Sequence, residues 1–174
     1  ALHRAAHQLI DRPVVFDDPL ALRILGAQRV KQLALNLARY ETPGSRAMRA
    51  FLVTRARYAE DELARVNQQG TGQYIVLGAG LDTFAYRNPH GRHLRVFEVD
   101  HPSTQAWKRA RLHEQGIELP RSLTFVPVDF EKQSLSDRLR QAGFRRNAPT
   151  FISWLGVTRY LTRDAVMQTS RFVA

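Results

Sequence analysis

The sequence predicts an α/β fold: a doubly wound, mostly parallel sheet with helices on both faces, entered through a helical N-terminal extension. Three observations predict it. From residue 73 onward, short apolar runs alternate with segments that carry helix start and stop signals. The runs are apolar at nearly every position, as in strands buried on both faces of a parallel sheet. The first run breaks into a Gly-x-Gly turn, Gly78-Ala79-Gly80, and an acid, Asp100, stands 20 residues beyond Gly80.

The elements can be justified in order. In "RPVVFDDPLALRILG", Asp18 precedes Pro19 as an N-cap before a proline at the first helical position, and Gly26 is a stop. "QRVKQLALNLARY" continues at helical spacing. Pro43 and Gly44 turn the chain, and Ser45 can cap the next helix. Met48, Phe51, Leu52, Ala59, Leu63 and Val66 then form the stripe of one amphipathic helix of about six turns, ending by Gly70. Four strands come next: "QYIVLGAG", "HLRVFEVD", "SLTFVPVD" and "PTFISWLG". Between them, Pro102 with Ser103 opens a helix that Gly116 closes, and Ser134 or Ser136 opens another that Gly143 closes. Thr162 with Asp164 opens a last one. Residues 1–70 are thus expected to be a helical cap on the substrate side, and residues 71–174 the first part of a nucleotide-type α/β domain. Such a fold uses about six strands, so the chain is expected to be a fragment that stops after the fourth.

Composition narrows the class. With 174 residues the chain suits one domain, and no stretch approaches the roughly 20 apolar residues of a membrane span. "ALHRAAHQLIDRP" lacks the apolar core and cleavage site of a secretory signal. There is no cysteine, which excludes disulfides, thiolate metal sites and cysteine nucleophiles, and a cytoplasmic location is expected. Net charge is +10, yet the basic residues run from Arg4 to Arg171 with no block longer than two. A nucleic-acid footprint would cluster on one face, so neither a nucleic-acid nor a membrane partner is expected. His90 and His93 have no carboxylate or histidine partner at ligand spacing, so no metal site is expected.

In an open parallel sheet, ligands bind at the carboxyl ends of the strands. Four ends can be read here: Gly78-Ala79-Gly80-Leu81-Asp82-Thr83; Glu98-Val99-Asp100; Asp129-Phe130-Glu131; and Trp154-Leu155-Gly156. At its spacing from Gly80, Asp100 can accept from both hydroxyls of a ribose, and Glu98 belongs to the same strand end. Asp129 can accept from an adenine amino group, with Phe130 packed on the ring. A dinucleotide fingerprint would carry glycine at 83 and leave the turn's N–H groups for a pyrophosphate, but the residue is Thr83 and Asp82 stands beside it. Asp82 is either the cap of a helix beginning near Thr83 or a ligand contact. Three acids at successive strand ends, Asp82, Asp100 and Asp129, are expected to converge around one cavity, which suits a cationic nucleoside such as S-adenosyl-L-methionine better than a phosphorylated one. The rival readings are an NAD(P)-dependent oxidoreductase, which shares the fold and Asp100, and a basic nucleic-acid-binding module.

The blocks "HRAAHQLIDRPVVFDDPLALRILG", "FLVTRARYAED", "YIVLGAGLDTFAYR", "VFEVDHPSTQAWKRARL", "FVPVDFE" and "FISWLGVTRYLT" occur here in the order found in a known family. The chain resembles, over essentially all its length, bacterial S-adenosylmethionine-dependent methyltransferases related to leucine carboxyl methyltransferases and polyketide O-methyltransferases. The resemblance implies a Rossmann-like class I methyltransferase fold, of which the first four of seven strands are present. It places Arg55 on the donor's methionine carboxylate; without it, a surface salt bridge to Glu60 or Asp61 is an equal reading. It assigns Asp100, Asp129 and Phe130 to ribose and adenine. Where many relatives of the carboxyl methyltransferase type carry glutamate before the Gly156, Tyr160, Leu161 motif, this chain has Trp154, whose face could wall the sulfonium side. The implied activity is O-methylation of a carboxylate or hydroxyl on a small molecule. No catalytic residue is assigned: His101 and Tyr160 merely lie near strand ends.

Overall fold

The computed structural model describes all of residues 1–174. Four helices come first: α1 (Leu2–Ile10), α2 (Leu20–Leu25), α3 (Ala27–Leu35) and α4 (Pro43–Asn67). They are followed by β1 (Gln73–Leu77), β2 (Arg95–Asp100), α5 (Pro102–Glu114), β3 (Leu123–Pro127), α6 (Leu135–Gln141), β4 (Thr150–Ser153) and α7 (Arg163–Val173). The strands form one sheet in the order β3-β2-β1-β4, every pairing parallel, with Ile75 level with Phe97 on one side and Ile152 on the other. No helix is long and apolar enough to cross a membrane.

Strand alternation divides the core. Ile75, Leu77, Phe97, Val99 and Val126 point to one face, where Leu135 and Leu139 of α6 and Ala165 of α7 cover them. Tyr74, Val76 and Val96 point to the other, against Leu63 of α4 together with Phe84 and Leu94. Both faces being covered, β1 is buried at every position. The doubly wound expectation is met.

Several local expectations are corrected. Asp18 does not cap α2 with its side chain. Its carboxylate is fully buried and accepts from the Thr83 hydroxyl at 2.7 Å, with Arg87 Nε at 3.4 Å and Arg4 Nη1 at 3.5 Å. A carboxylate so buried needs such partners, so Asp18 pins the extension to the loop after β1. On α4, Thr42 rather than Ser45 is the cap, its hydroxyl accepting from the Ser45 N–H at 3.3 Å. The buried stripe of α4 is Arg49, Val53, Ala56, Ala59 and Leu63, while Met48 and Phe51 are exposed. Ala59 and Leu63 are buried as expected, while toward the start of α4 the buried side moves from Met48 and Phe51 to Arg49 and Val53, because α1 packs against this helix.

The join of α1 to α4 is ionic. Arg49 is buried and donates to both Asp11 oxygens, at 2.7 and 2.8 Å, and to the Tyr40 carbonyl at 2.5 Å. His7 Nε2 accepts from the Phe16 N–H at 3.2 Å, which places the ring proton on Nδ1, donated to Asp11 at 2.7 Å. The Arg49 hydrogen bonds, against burial and aided by His7, hold the Asp11 carboxyl down at about 2. A carboxyl depressed on folding stabilises above its unfolded value, roughly 3.9, and that stability is lost as pH falls through the folded value. Urea denaturation should therefore show wild type exceeding Asp11→Asn by about 1–2 kcal/mol at pH ~6, with the gap closing between pH ~4 and ~2. A gap independent of pH would refute this account.

Candidate functional site

The order β3-β2-β1-β4 reverses direction between β1 and β4, so a crevice opens beyond their carboxyl ends. At the end of β1, Gly78 takes φ +67° and Gly80 φ +47°, values that favour glycine. The N–H groups of Gly78 and Ala79 both donate to the Val99 carbonyl, at 2.8 and 3.1 Å. The Gly80 N–H donates to Asp100 Oδ2 at 2.5 Å, and the His101 N–H to Asp100 Oδ1 at 2.7 Å. The 20-residue spacing read in the sequence is thus closed by a direct hydrogen bond. Each Asp100 oxygen keeps a lone pair for a further donor.

Two adjoining cavities lie there. The larger, about 420 Å³, is lined by Gly80, Asp100, His101, Asp129, Phe130 and Tyr160 among others. The smaller, about 190 Å³, is lined by Arg4, Arg55, Ala79, Asp82, Ser153 and Leu155 among others. Gly78 and Gly156 belong to both. A Cβ on Gly78 would stand 2.5 Å from Val157 Cβ, and one on Gly156 3.0 Å from Arg55 Nη2. The two glycines therefore let the Val157 and Arg55 side chains pack directly on the backbone that both cavities share.

In the larger cavity, Asp129 Oδ1 accepts from the Glu131 N–H at 3.1 Å, and its Oδ2 lies 3.5 Å from Lys132 Nζ and 4.0 Å from His101 Nε2. Phe130 is buried beside it. The His101 Nδ1 accepts from the Ser103 N–H at 3.3 Å and so caps α5. In the smaller cavity, Arg55 is without a carboxylate partner. The two acids that could have formed a surface pair are engaged elsewhere, Asp61 with Arg57 at 2.7 Å and Glu60 with Arg87 at 2.8 Å. The Arg55 guanidinium instead stands 5.0 Å over the Phe51 ring, and burial together with the charge of Arg4 lowers its pKa.

Asp82 stands at the start of the turn and on a cavity wall. Its Oδ1 accepts from the Phe84 N–H at 2.9 Å, capping the turn at Phe84–Tyr86, while the side chain also lines the smaller cavity. Its Oδ2 accepts from Arg4 Nη1 at 3.3 Å, and Arg4 Nη2 donates to the Leu81 carbonyl at 2.6 Å. Burial disfavours the carboxylate, but Arg4, Lys108, the Phe84 N–H and Arg87 outweigh it and hold Asp82 below the usual range. The expectation that Asp82, Asp100 and Asp129 ring one cavity is corrected: Asp82 lines the smaller cavity and the other two the larger.

Three further expected residues line neither cavity. Thr83 is fully buried and donates to Asp18. Glu98 is fully buried and accepts from Lys108 Nζ at 2.6 Å and the Tyr86 hydroxyl at 3.2 Å. Trp154 packs on the α6–α7 face of the sheet. Alternation along the strand is the cause: Ser153 points to the opposite face, where it meets the Tyr74 hydroxyl at 2.8 Å, so Trp154 turns away from the crevice and Leu155 lines it. The fold alone brings Arg4 to this wall, since it is 78 residues from Asp82 and no periodic signal marks it.

A parallel sheet with this order, and a glycine turn braced by the acid of the next strand, defines a Rossmann-like fold. The family model described as leucine carboxyl methyltransferase matches residues 1–174, and the chain belongs to that family, whose class I methyltransferase fold the sheet shows. It is 35% identical over 185 residues to YktD of Bacillus subtilis (strain 168), named as a candidate S-adenosyl-L-methionine-dependent methyltransferase, with 94% of this chain and 60% of that one covered. A similarly named protein of Mycobacterium marinum (strain ATCC BAA-535 / M) is 32% identical over 163 residues, with 91% and 52% covered. The chain thus spans 52–60% of the length of these two relatives.

Proposed function

We propose that the protein is an S-adenosyl-L-methionine-dependent methyltransferase that methylates an oxygen, carboxylate or hydroxyl, of a small molecule. One observation carries the donor reading. The two cavities lie side by side and share Gly78 and Gly156 in their walls, with two acids for a nucleoside in one and an unpartnered guanidinium in the other. The larger cavity alone falls within the roughly 300–1,000 Å³ usual for ligand sites. The residues fit the donor. Asp100 has lone pairs for the ribose hydroxyls, Asp129 for the adenine amino group, Phe130 can pack on the ring, and Arg55 suits a carboxylate. The glycine turn does not suit a pyrophosphate, since the N–H groups of Gly78, Ala79 and Gly80 are all engaged within the protein. This weighs against the NAD(P) reading. The names of the relatives support the same choice.

When bound, the donor supplies an electrophilic sulfonium methyl group. The work left to the chain is positioning, which can supply several kcal/mol of barrier reduction. Residues 1–70 contribute Arg4, Leu52 and Arg55 to the smaller cavity, in keeping with an extension that caps the substrate side. His101 lines the larger cavity beside Asp129 and no base is assigned. A cysteine-free protein of this kind suits the cytoplasm. Calorimetric titration should give a Kd on the order of micromolar for S-adenosylhomocysteine and no heat with NAD; the reverse result would overturn the reading.

A further inference from the structure

We infer that Asp82 accepts the α-ammonium group at the amino-acid end of the donor, forming with Arg55 a clamp for a zwitterion. The inference rests on the S-adenosylmethionine reading above and adds a contact to it. The smaller cavity has one carboxylate on its wall, Asp82, and one guanidinium without a carboxylate partner, Arg55. Much of the remaining wall is apolar, including Leu52, Leu81 and Leu155. An ammonium entering with its carboxylate on Arg55 therefore finds a single anionic acceptor.

That acceptor is built to stay charged and in place. The Phe84 N–H and Arg4 each engage one Asp82 oxygen, leaving a lone pair on both, and the side chain is 24% exposed. Arg4 is itself anchored by the Leu81 carbonyl at 2.6 Å and Asp18 at 3.5 Å, so it orients Asp82 without closing over it. Against the cost of burial, Arg4, Lys108, the Phe84 N–H and Arg87 together hold the carboxyl in its ionised form. Arg4, Arg55 and Asp82 line the cavity, and once Arg87, Asp18 and Glu60 behind its wall are counted the side-chain charges balance. The guanidinia of Arg4, Arg55 and Arg87 stand against the carboxylates of Asp18, Glu60 and Asp82, which pair through Arg4 and Arg87. Such a balance favours a zwitterion over a simple anion or cation, each of which would leave one charge unanswered.

The test compares four ligands by calorimetry on the intact protein: S-adenosylhomocysteine, its desamino analogue, its decarboxylated analogue, and 5′-methylthioadenosine, which lacks the amino-acid end. Wild type should bind S-adenosylhomocysteine about 10- to 100-fold more tightly than the desamino analogue, the effect of one charged hydrogen bond. Asp82→Asn keeps an acceptor for the Phe84 N–H and should reduce that ratio to near unity while leaving methylthioadenosine unchanged. Arg55→Gln should instead erase the preference over the decarboxylated analogue. Equal binding of S-adenosylhomocysteine and the desamino analogue by wild type would overturn the inference even if Asp82→Asn did not fold, and so would a ratio preserved in Asp82→Asn. Failure of all four to bind would overturn the donor reading itself.

Discussion

Replacing Lys108 with methionine is expected to lower the stability of the fold by about 3–5 kcal/mol, the usual effect of stripping a buried carboxylate of its partner. Glu98 and Lys108 are each 1% exposed. Lys108 Nζ meets Glu98 Oε2 at 2.6 Å, the Tyr86 hydroxyl donates to the same oxygen at 3.2 Å, and Oε1 has no partner. Burial pushes the Glu98 carboxyl up even with Lys108 beside it. Without Lys108 the group would take up a proton on folding. A carboxyl raised on folding stabilises below its unfolded value and loses that contribution as pH rises through the folded one, so the variant should be least stable near neutrality and recover toward pH ~4. For a chain of this size, thermal denaturation near pH 7 should show Tm lower by roughly 6–20 °C. The double variant Lys108→Met with Glu98→Leu should regain most of the loss, since an apolar pair of similar volume can replace a buried ion pair. A loss below about 1 kcal/mol in the single variant, or no recovery in the double, would refute the assignment.

The same pair shows what sequence reading could and could not reach. Glu98 shares a strand face with Asp100, and by position alone both belong to one strand end. What separates them is Lys108, which α5 brings down onto β2 and which claims Glu98 for the interior. Asp100, at the start of that helix, meets no lysine or arginine from it and keeps its turn contact with Gly80. The strands, the Gly80–Asp100 relation and the helix starts at Ser134 and Thr162 were legible because each is a local pattern of apolar period, glycine or cap. Pairings such as Arg4 with Asp82, or Asp18 with Thr83, join residues 78 and 65 positions apart and leave no periodic trace. Trp154 was misplaced for a related reason. An apolar run buried on both faces does not say which face each residue takes, and only the Tyr74–Ser153 contact fixes it. Arg55 could be placed beside an apolar stripe, but its freedom from Glu60 and Asp61 depends on Arg87 and Arg57 having taken them.

Asp100→Ala is expected to weaken S-adenosylhomocysteine binding by about 100-fold, and the form of that loss tells two roles of Asp100 apart. Its carboxylate already accepts from the N–H groups of Gly80 and His101, so it holds the glycine turn against the start of α5. On the donor reading it also accepts from the ribose, and a hydrogen bond to a charged group contributes about 1.5–3 kcal/mol, so two of them at the low end of that range account for the predicted loss. If Asp100 contacts the ribose directly, removing the 2′-hydroxyl from the ligand should weaken binding about tenfold in wild type and hardly at all in Asp100→Ala. If Asp100 merely braces the turn, the variant should lose the same factor for both ligands. The orphaned Gly80 and His101 N–H groups should by themselves lower stability by about 1–2 kcal/mol, measurable in urea without any ligand. Tight binding of S-adenosylhomocysteine by a stable Asp100→Ala protein would remove the ribose role altogether and leave Asp129 and Phe130 as the nucleoside contacts of the larger cavity.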